Sequence, residues 1–190
     1  AYDADRPLDE DHAWQAVTFE NVVDGWLRRV ECRRFAGGAV AVWETARRIT
    51  VEDCLSLAPV SELGGRRRLT FFTQGQQTLF LRCWSEAGLH DFATGHCSAG
   101  PNAFVHCIAS HTHGDSGPLE SWTSGLLYDN VRIDGGRLSL ENRWAAPAGC
   151  GWAAANCVLW QCQAAQVRCF RPPGAENWAI GVWANVAGDG

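Results

Sequence analysis

The 190-residue chain contains no lysine and no methionine. All sixteen basic side chains are arginine, twenty-one side chains are acidic, and the net charge is −5. That balance argues against a duplex nucleic-acid binder, which needs a basic face. No apolar run approaches the roughly 20 residues of a membrane span. Nor does the amino terminus show a basic stretch followed by an apolar one, as a leader peptide would. The spacing CxxC is absent, which removes support for a zinc knuckle or a thioredoxin-like centre. Helical periodicity is nearly absent. Only Val40–Arg48 reads as a short helix, and its Val/Trp alternation reads at least as well as strand. A chain that begins on Ala1 and holds no Met is expected to be a processed product or a piece of a longer protein, with flanking domains of the parent beside it.

What is present is 46% hydrophobic and 19% charged, the composition of a folded domain with a real core. Nine cysteines, an odd number, are spread from Cys32 to Cys169, so at least one is unpaired within the chain. A small disulfide scaffold does not suit this length, and buried thiols acting as small hydrophobes are expected. Most of them end short apolar stretches. Cys32, Cys54, Cys83 and Cys107 follow one another at intervals of 22, 29 and 24 residues; Asn130 and then Cys157 continue the series. The segments leading to them are alike: Trp26–Cys32, Arg48–Cys54, Thr78–Cys83, Asn102–Cys107 and Gly125–Asn130. Each is rich in β-branched or aromatic residues and ends in a residue able to turn the chain. Strand-like runs at Ala39–Trp43, Leu69–Phe72 and Leu138–Asn142 lie between them, and Gly and Asn mark corners. Strands without alternating helices exclude a doubly wound α/β sheet. A two-sheet sandwich stays compatible, but a recurring pattern at each step is what a stacked solenoid demands. About eight coils fit the length, and the acidic stretch to His12 and the tail from Asn185 read as weak caps.

Several stretches sharpen this reading: Val51–Cys54, Gly75–Leu79, His90–Phe92, Gly100–Phe104, Gly151–Trp152, Ala154–Asn156 and Asn177–Gly181. On these residues the chain resembles the right-handed parallel β-helix of the pectate-lyase superfamily, and more narrowly a family of exported, carbohydrate-related bacterial β-helix proteins. The resemblance covers most of the chain and implies an all-β fold: a right-handed, single-stranded parallel β-helix forming one domain over residues 1–190. It also implies an extracellular or periplasmic location and a polysaccharide or oligosaccharide partner. It does not assign a reaction, because this fold hosts lyases, hydrolases, esterases and adhesins. The paired aspartates of polygalacturonases are not found, nor a calcium-binding aspartate cluster of the pectate-lyase kind.

Reactive side chains gather mid-chain, and five of the six histidines lie between residues 90 and 113. The segments His90–Asp91 and His111–Asp115 are about one coil apart, so stacking would bring them to one groove. A carboxylate beside an imidazole orients it for general-base work. Glu86, His90, Asp91, His111, His113 and Asp115 are therefore the candidate catalytic groups, with His90–Asp91 as a satisfied structural pair the bland alternative. Arg66, Arg67, Arg68 and Arg82 would orient carboxylates of an acidic glycan, or be solvated loop charges. Trp84 and Trp122, flanked by polar residues, would stack on sugar rings; Trp43, Trp144, Trp152, Trp160, Trp178 and Trp183 sit in apolar contexts and read as packing. No metal or other cofactor is required, although His111, His113 and Asp115 are ligand types for a divalent ion. No GxSxG elbow supports serine hydrolase chemistry. The expected function is a polysaccharide lyase or glycoside hydrolase acting on an acidic glycan, with a non-catalytic glycan-binding or structural module as the alternative.

Overall fold

The computed structural model describes residues 8–144 and 151–189. Among these there is no helix: Val40–Arg48 holds the end of one strand, a turn closed by the Ala46 N–H donating to Trp43 O at 2.9 Å, and the start of the next strand. The strands wind as coils with three faces, here A, B and C. The first coil consists of Gln15–Phe19 on face A, Val23–Arg28 on face B and Glu31–Arg33 on face C. The second runs Gly38–Val42, Arg47–Glu52 and Leu55–Leu57; the third Leu69–Thr73, Leu79–Leu81 and Trp84–Glu86. The fourth is His90–Thr94, Ala99–Val105 and Ile108–Ser110, and the fifth Asp115–Pro118, Thr123–Asp129 and Arg132–Ile133. In the sixth, Arg137–Leu140 is followed by Ala154–Ala155 and Cys157–Trp160. Gln163–Cys169 then bends from face C onto face A, joining those two faces into one 13-stranded sheet. Asn177–Ile180 and Trp183–Gly188 complete a seventh coil and open an eighth. Every strand-to-strand pairing is parallel and links one coil to the next. The chain is thus a parallel β-helix.

The corner between faces B and C sets the geometry. One residue per coil there has positive φ: Arg29, Asp53, Arg82, His106, Asn130 and Gln161 lie between 50° and 55°, and Gly181 at 64°. Left-handed backbone costs an L-residue about 1–2 kcal/mol. The compensation is that the N–H of each of the first six donates to a carbonyl of the next coil, as Asp53 does to Leu81 at 3.0 Å and His106 to Asp129 at 2.9 Å. The residue that follows points inward and forms a second row: Val30, Cys54, Cys83, Cys107, Val131, Cys162 and Val182. A thiol suits this site because it is small and can donate weakly. The Cys107 Sγ lies 3.5 Å from the carbonyls of both Val105 and Phe80, and Cys162 repeats the arrangement at 3.4 Å with Trp160 and Tyr128. The cysteine series is therefore real but differently composed. Asn130 occupies the outward left-handed row, and Val131 takes the place of a thiol. Cys32 is two residues further along, in register with Ser56, and Cys157 lies within face B. Burial pushes the Cys157 and Cys162 thiols up to about 11. Cys150 lies outside the described residues.

Inside the tube, like stacks on like. Phe80, Phe104 and Tyr128 follow one another up face B with ring centroids 4.8 and 5.1 Å apart. Phe71 and Phe92 stack on face A at 5.8 Å. The Tyr128 hydroxyl is fully enclosed and donates to the Phe92 carbonyl at 2.8 Å, so its burial leaves no polar group unmet. Asn102 is a polar rung within the same core. Its Oδ1 accepts from the Thr78 N–H and hydroxyl, while its Nδ2 donates to Gly75 O and Ser98 Oγ.

Phe104→Ala should lower stability by about 3–5 kcal/mol, since it empties the middle of the ring stack; a thermal melt unchanged from the parent would refute that packing. Of the eight described thiols only Cys97 is exposed. Brief alkylation of the native protein should therefore modify Cys97 and spare the other seven until denaturant is added. Rapid native labelling of Cys83 or Cys107 would contradict the inward corner row.

Candidate functional site

Stacking does bring His90 to Asp115, 25 residues on. His90 opens its strand on face A and Asp115 opens the strand one coil later. The His90 Nδ1 is 2.7 Å from the Asp115 main-chain carbonyl and 3.3 Å from its carboxylate. A carbonyl only accepts, so Nδ1 carries the proton and Nε2 is the ring's free acceptor when the ring is neutral. Arg143 closes the other side, with Nη2 2.5 Å from Asp115 Oδ2 and Nε donating to Pro118 O at 2.7 Å. Burial alone would raise the Asp115 carboxyl. Contact with His90 and the charge of Arg143 outweigh it and hold the group well below the usual carboxylate range. Arg143 did not stand out in the sequence, because nothing near it marks a site.

Asp91 does not join this cluster. It is wholly buried and accepts from Ser85 Oγ at 2.5 Å and from the Thr112 hydroxyl. Here burial dominates over those hydrogen bonds and raises the carboxyl. Adjacent in sequence, Asp91 and His90 thus serve different places: the imidazole meets Asp115, and the carboxylate pins the interior of the corner between faces C and A. Glu86 turns back one coil to accept from the Ala58 N–H at 2.9 Å. His111 takes a left-handed turn conformation, in the manner of Ala58 and Ala87, and is exposed. His113 is exposed too, its N–H bound to Gly88 O. Of the six candidate catalytic groups, only His90 and Asp115 touch. Among the described residues no three His, Cys, Asp or Glu side chains are grouped to hold a metal ion.

The arginine run disperses rather than forming a clamp. Arg66 pairs with Glu120 at 2.9 Å, and Arg67 grips Glu10 through Nε and Nη2. Arg68 turns inward to Ser61 and to the carbonyl of Ala87. Arg82 is held by Asp53 and by Glu52, which also binds Arg28. Trp84 and Trp122 are exposed as expected, at 38% and 45%, but on different parts of the surface. Trp84 is on face C, and Trp122 is at the turn between faces A and B. Of the tryptophans read as packing, Trp144, Trp160, Trp178 and Trp183 are also exposed, reaching 77% and 75% at Trp144 and Trp183. At Trp160, Trp178 and Trp183 the apolar sequence neighbours misled, because on a strand the neighbours of an outward residue point inward; Trp144 lies in a turn.

Against known protein families, curated proteins and solved structures, the chain has no match.

The two buried carboxyls should respond to pH in opposite directions. The lowered Asp115 group stabilises the fold above its unfolded value of about 3.9, and that contribution is lost as pH falls through its folded value. The raised Asp91 group favours folding when protonated, and stability declines as pH rises from about 4 towards its folded value. In melts across the acid-to-neutral range, Asp115→Asn should lose about 3 kcal/mol near neutrality, where Arg143 is left unpaired, and less in acid. Asp91→Asn should close on or overtake the parent near neutrality. Parallel pH curves for the two variants would contradict these environments.

Proposed function

We propose that this parallel β-helix is a glycan-binding protein that holds polysaccharide on its outer surface, of the pectate-lyase-superfamily kind that its sequence resembles, and that it works outside the cell or in the periplasm. The observation that carries the reading is the distribution of tryptophan. Eight of the ten are exposed, while the core is filled by Phe, Val, Leu and Cys. Large indoles left in water are costly without a partner. Their flat faces suit the C–H faces of sugar rings, and their N–H groups suit the hydroxyls. Seven of the eight described thiols are buried, which is compatible with an oxidising exterior, since exchange needs access to sulfur.

Binding is favoured over cleavage because the candidate acid and base groups do not share one open face. Glu86 is committed to Ala58 and Asp91 is enclosed. The second reading, an acidic-glycan lyase or hydrolase, is supported by one observation: His90 has a fixed tautomer, with Asp115 and Arg143 behind it. In that reading Nε2 would act as the base.

A panel of acidic and neutral polysaccharides, assayed for both binding and product, separates these readings. Binding without product is expected. Product that disappears in His90→Ala or His113→Ala at an unchanged melting temperature would replace binding with catalysis. Neither binding nor product on any glycan would overturn both readings.

A further inference from the structure

The geometry points to one linear site: an extended, largely uncharged glycan chain lies along the corner between faces B and C, from Trp84 to Trp183, parallel to the coil axis. This rests on the glycan-binding reading and specifies its location and ligand class. The first outward position of face C forms a row in strict register, Trp84, Ile108, Arg132, Gln163 and Trp183. Beside it runs the left-handed turn row, His106, Asn130 and Gln161. Between the two rows lies a shallow groove of about 490 Å³ that ends on Trp183.

Periodicity argues for a chain rather than a compact ligand. Each coil advances by roughly 4.8 Å, so the indoles at the two ends are about 20 Å apart. One coil is close to the advance of one pyranose in an extended chain, so successive sugars would meet equivalent positions. The chemistry of those positions suits hydroxyls. Exposed amides and an imidazole both donate and accept, and at His106, Gln161 and Gln163 these groups have no side-chain partner among the described residues. The Asn130 Nδ2 is bound to Asp129 at 2.7 Å, which leaves Oδ1 as an acceptor. Trp183, 75% exposed, lines the groove at one end, and Trp84, 38% exposed, continues the first row one coil beyond the other end.

The ends of the groove are defined by the same rows. Towards the first coils the turn row continues as Arg82, whose guanidinium is occupied by Asp53 and Glu52. In the other direction it continues as Gly181, which has no side chain to obstruct the space beside Trp183. Charge sets the ligand class. Among the described residues Arg132 is the groove's one arginine, and the chain as a whole carries −5, so a polyanion is repelled overall.

The test is calorimetric titration with cello-, manno- and xylo-oligosaccharides of increasing length, and with oligouronates of matched length. Affinity for a neutral series should rise with length and level off at about four or five sugars, the span of the row. Trp183→Ala and the double variant Gln161→Ala/Gln163→Ala should each weaken binding about tenfold or more. Gln76→Ala, at the corner between faces A and B, should not. All three should melt with the parent, because the side chains are exposed. Binding retained in the groove variants but lost in Trp122→Ala would overturn this site and leave the glycan reading standing. Oligouronates binding more tightly than neutral chains would overturn the ligand class. Failure of every oligosaccharide, together with failure of every polysaccharide in the broader panel, would remove both.

Discussion

Each coil turns from face B to face C on a residue held at φ near +50°, whose N–H reaches the carbonyl of the next coil. Much else depends on that repeated bond. It fixes the number of residues in the corner, so length variation between coils must be taken up elsewhere. It forces the following side chain inward, creating the Val/Cys row, and it aims the turn side chain outward, creating a polar row in the same register. Core and candidate ligand surface are therefore two sides of one backbone constraint. In a solenoid, where each coil contacts only its neighbours, such a row is the device that keeps register from drifting.

How much of this was legible from the residues depended on whether a side chain has one structural meaning or two. Cys54, Cys83 and Cys107 announced the repeat because a small, half-apolar residue after an outward polar one is a narrow requirement. Asn130 broke the series because asparagine serves both as a buried polar rung, as Asn102 does, and as a left-handed turn former. The two rows are one residue apart, and spacing alone does not distinguish them. The strands themselves were legible from short β-branched or aromatic runs ended by turn residues; over Val40–Arg48 neither the short helix nor one continuous strand formed, because a turn at Glu44–Thr45 separates two strands there.

The candidate site was less legible, since partnership in a coil runs across sequence. Stacking of His90–Asp91 on the His111–Asp115 segment was expected from the spacing, yet strand geometry sends consecutive side chains to opposite sides, so only His90 meets Asp115 while Asp91 turns to Ser85 and Thr112. Arg143 joins them from a segment with no motif of its own. The triple arginine looked like one anion clamp, but its members separate to Glu120, Glu10 and Ser61. Only the row logic relates Trp84 to Trp183, which are 99 positions apart in the chain. What the surface offers is a repetition of modest polar contacts, one set per coil.

The stacked thiols carry a consequence for how the chain is made. Neighbouring sulfurs in the corner row lie one coil apart, a distance at which two cysteines can bridge, yet each is turned to carbonyl oxygens and shielded. Once the coils close, oxidants meet a sealed column. Before closure, nine thiols sit on one flexible strand with many wrong partners in reach. Folding and oxidation are then in a race, and in any oxidising compartment the yield of native protein is set by how quickly the corner closes over its sulfur.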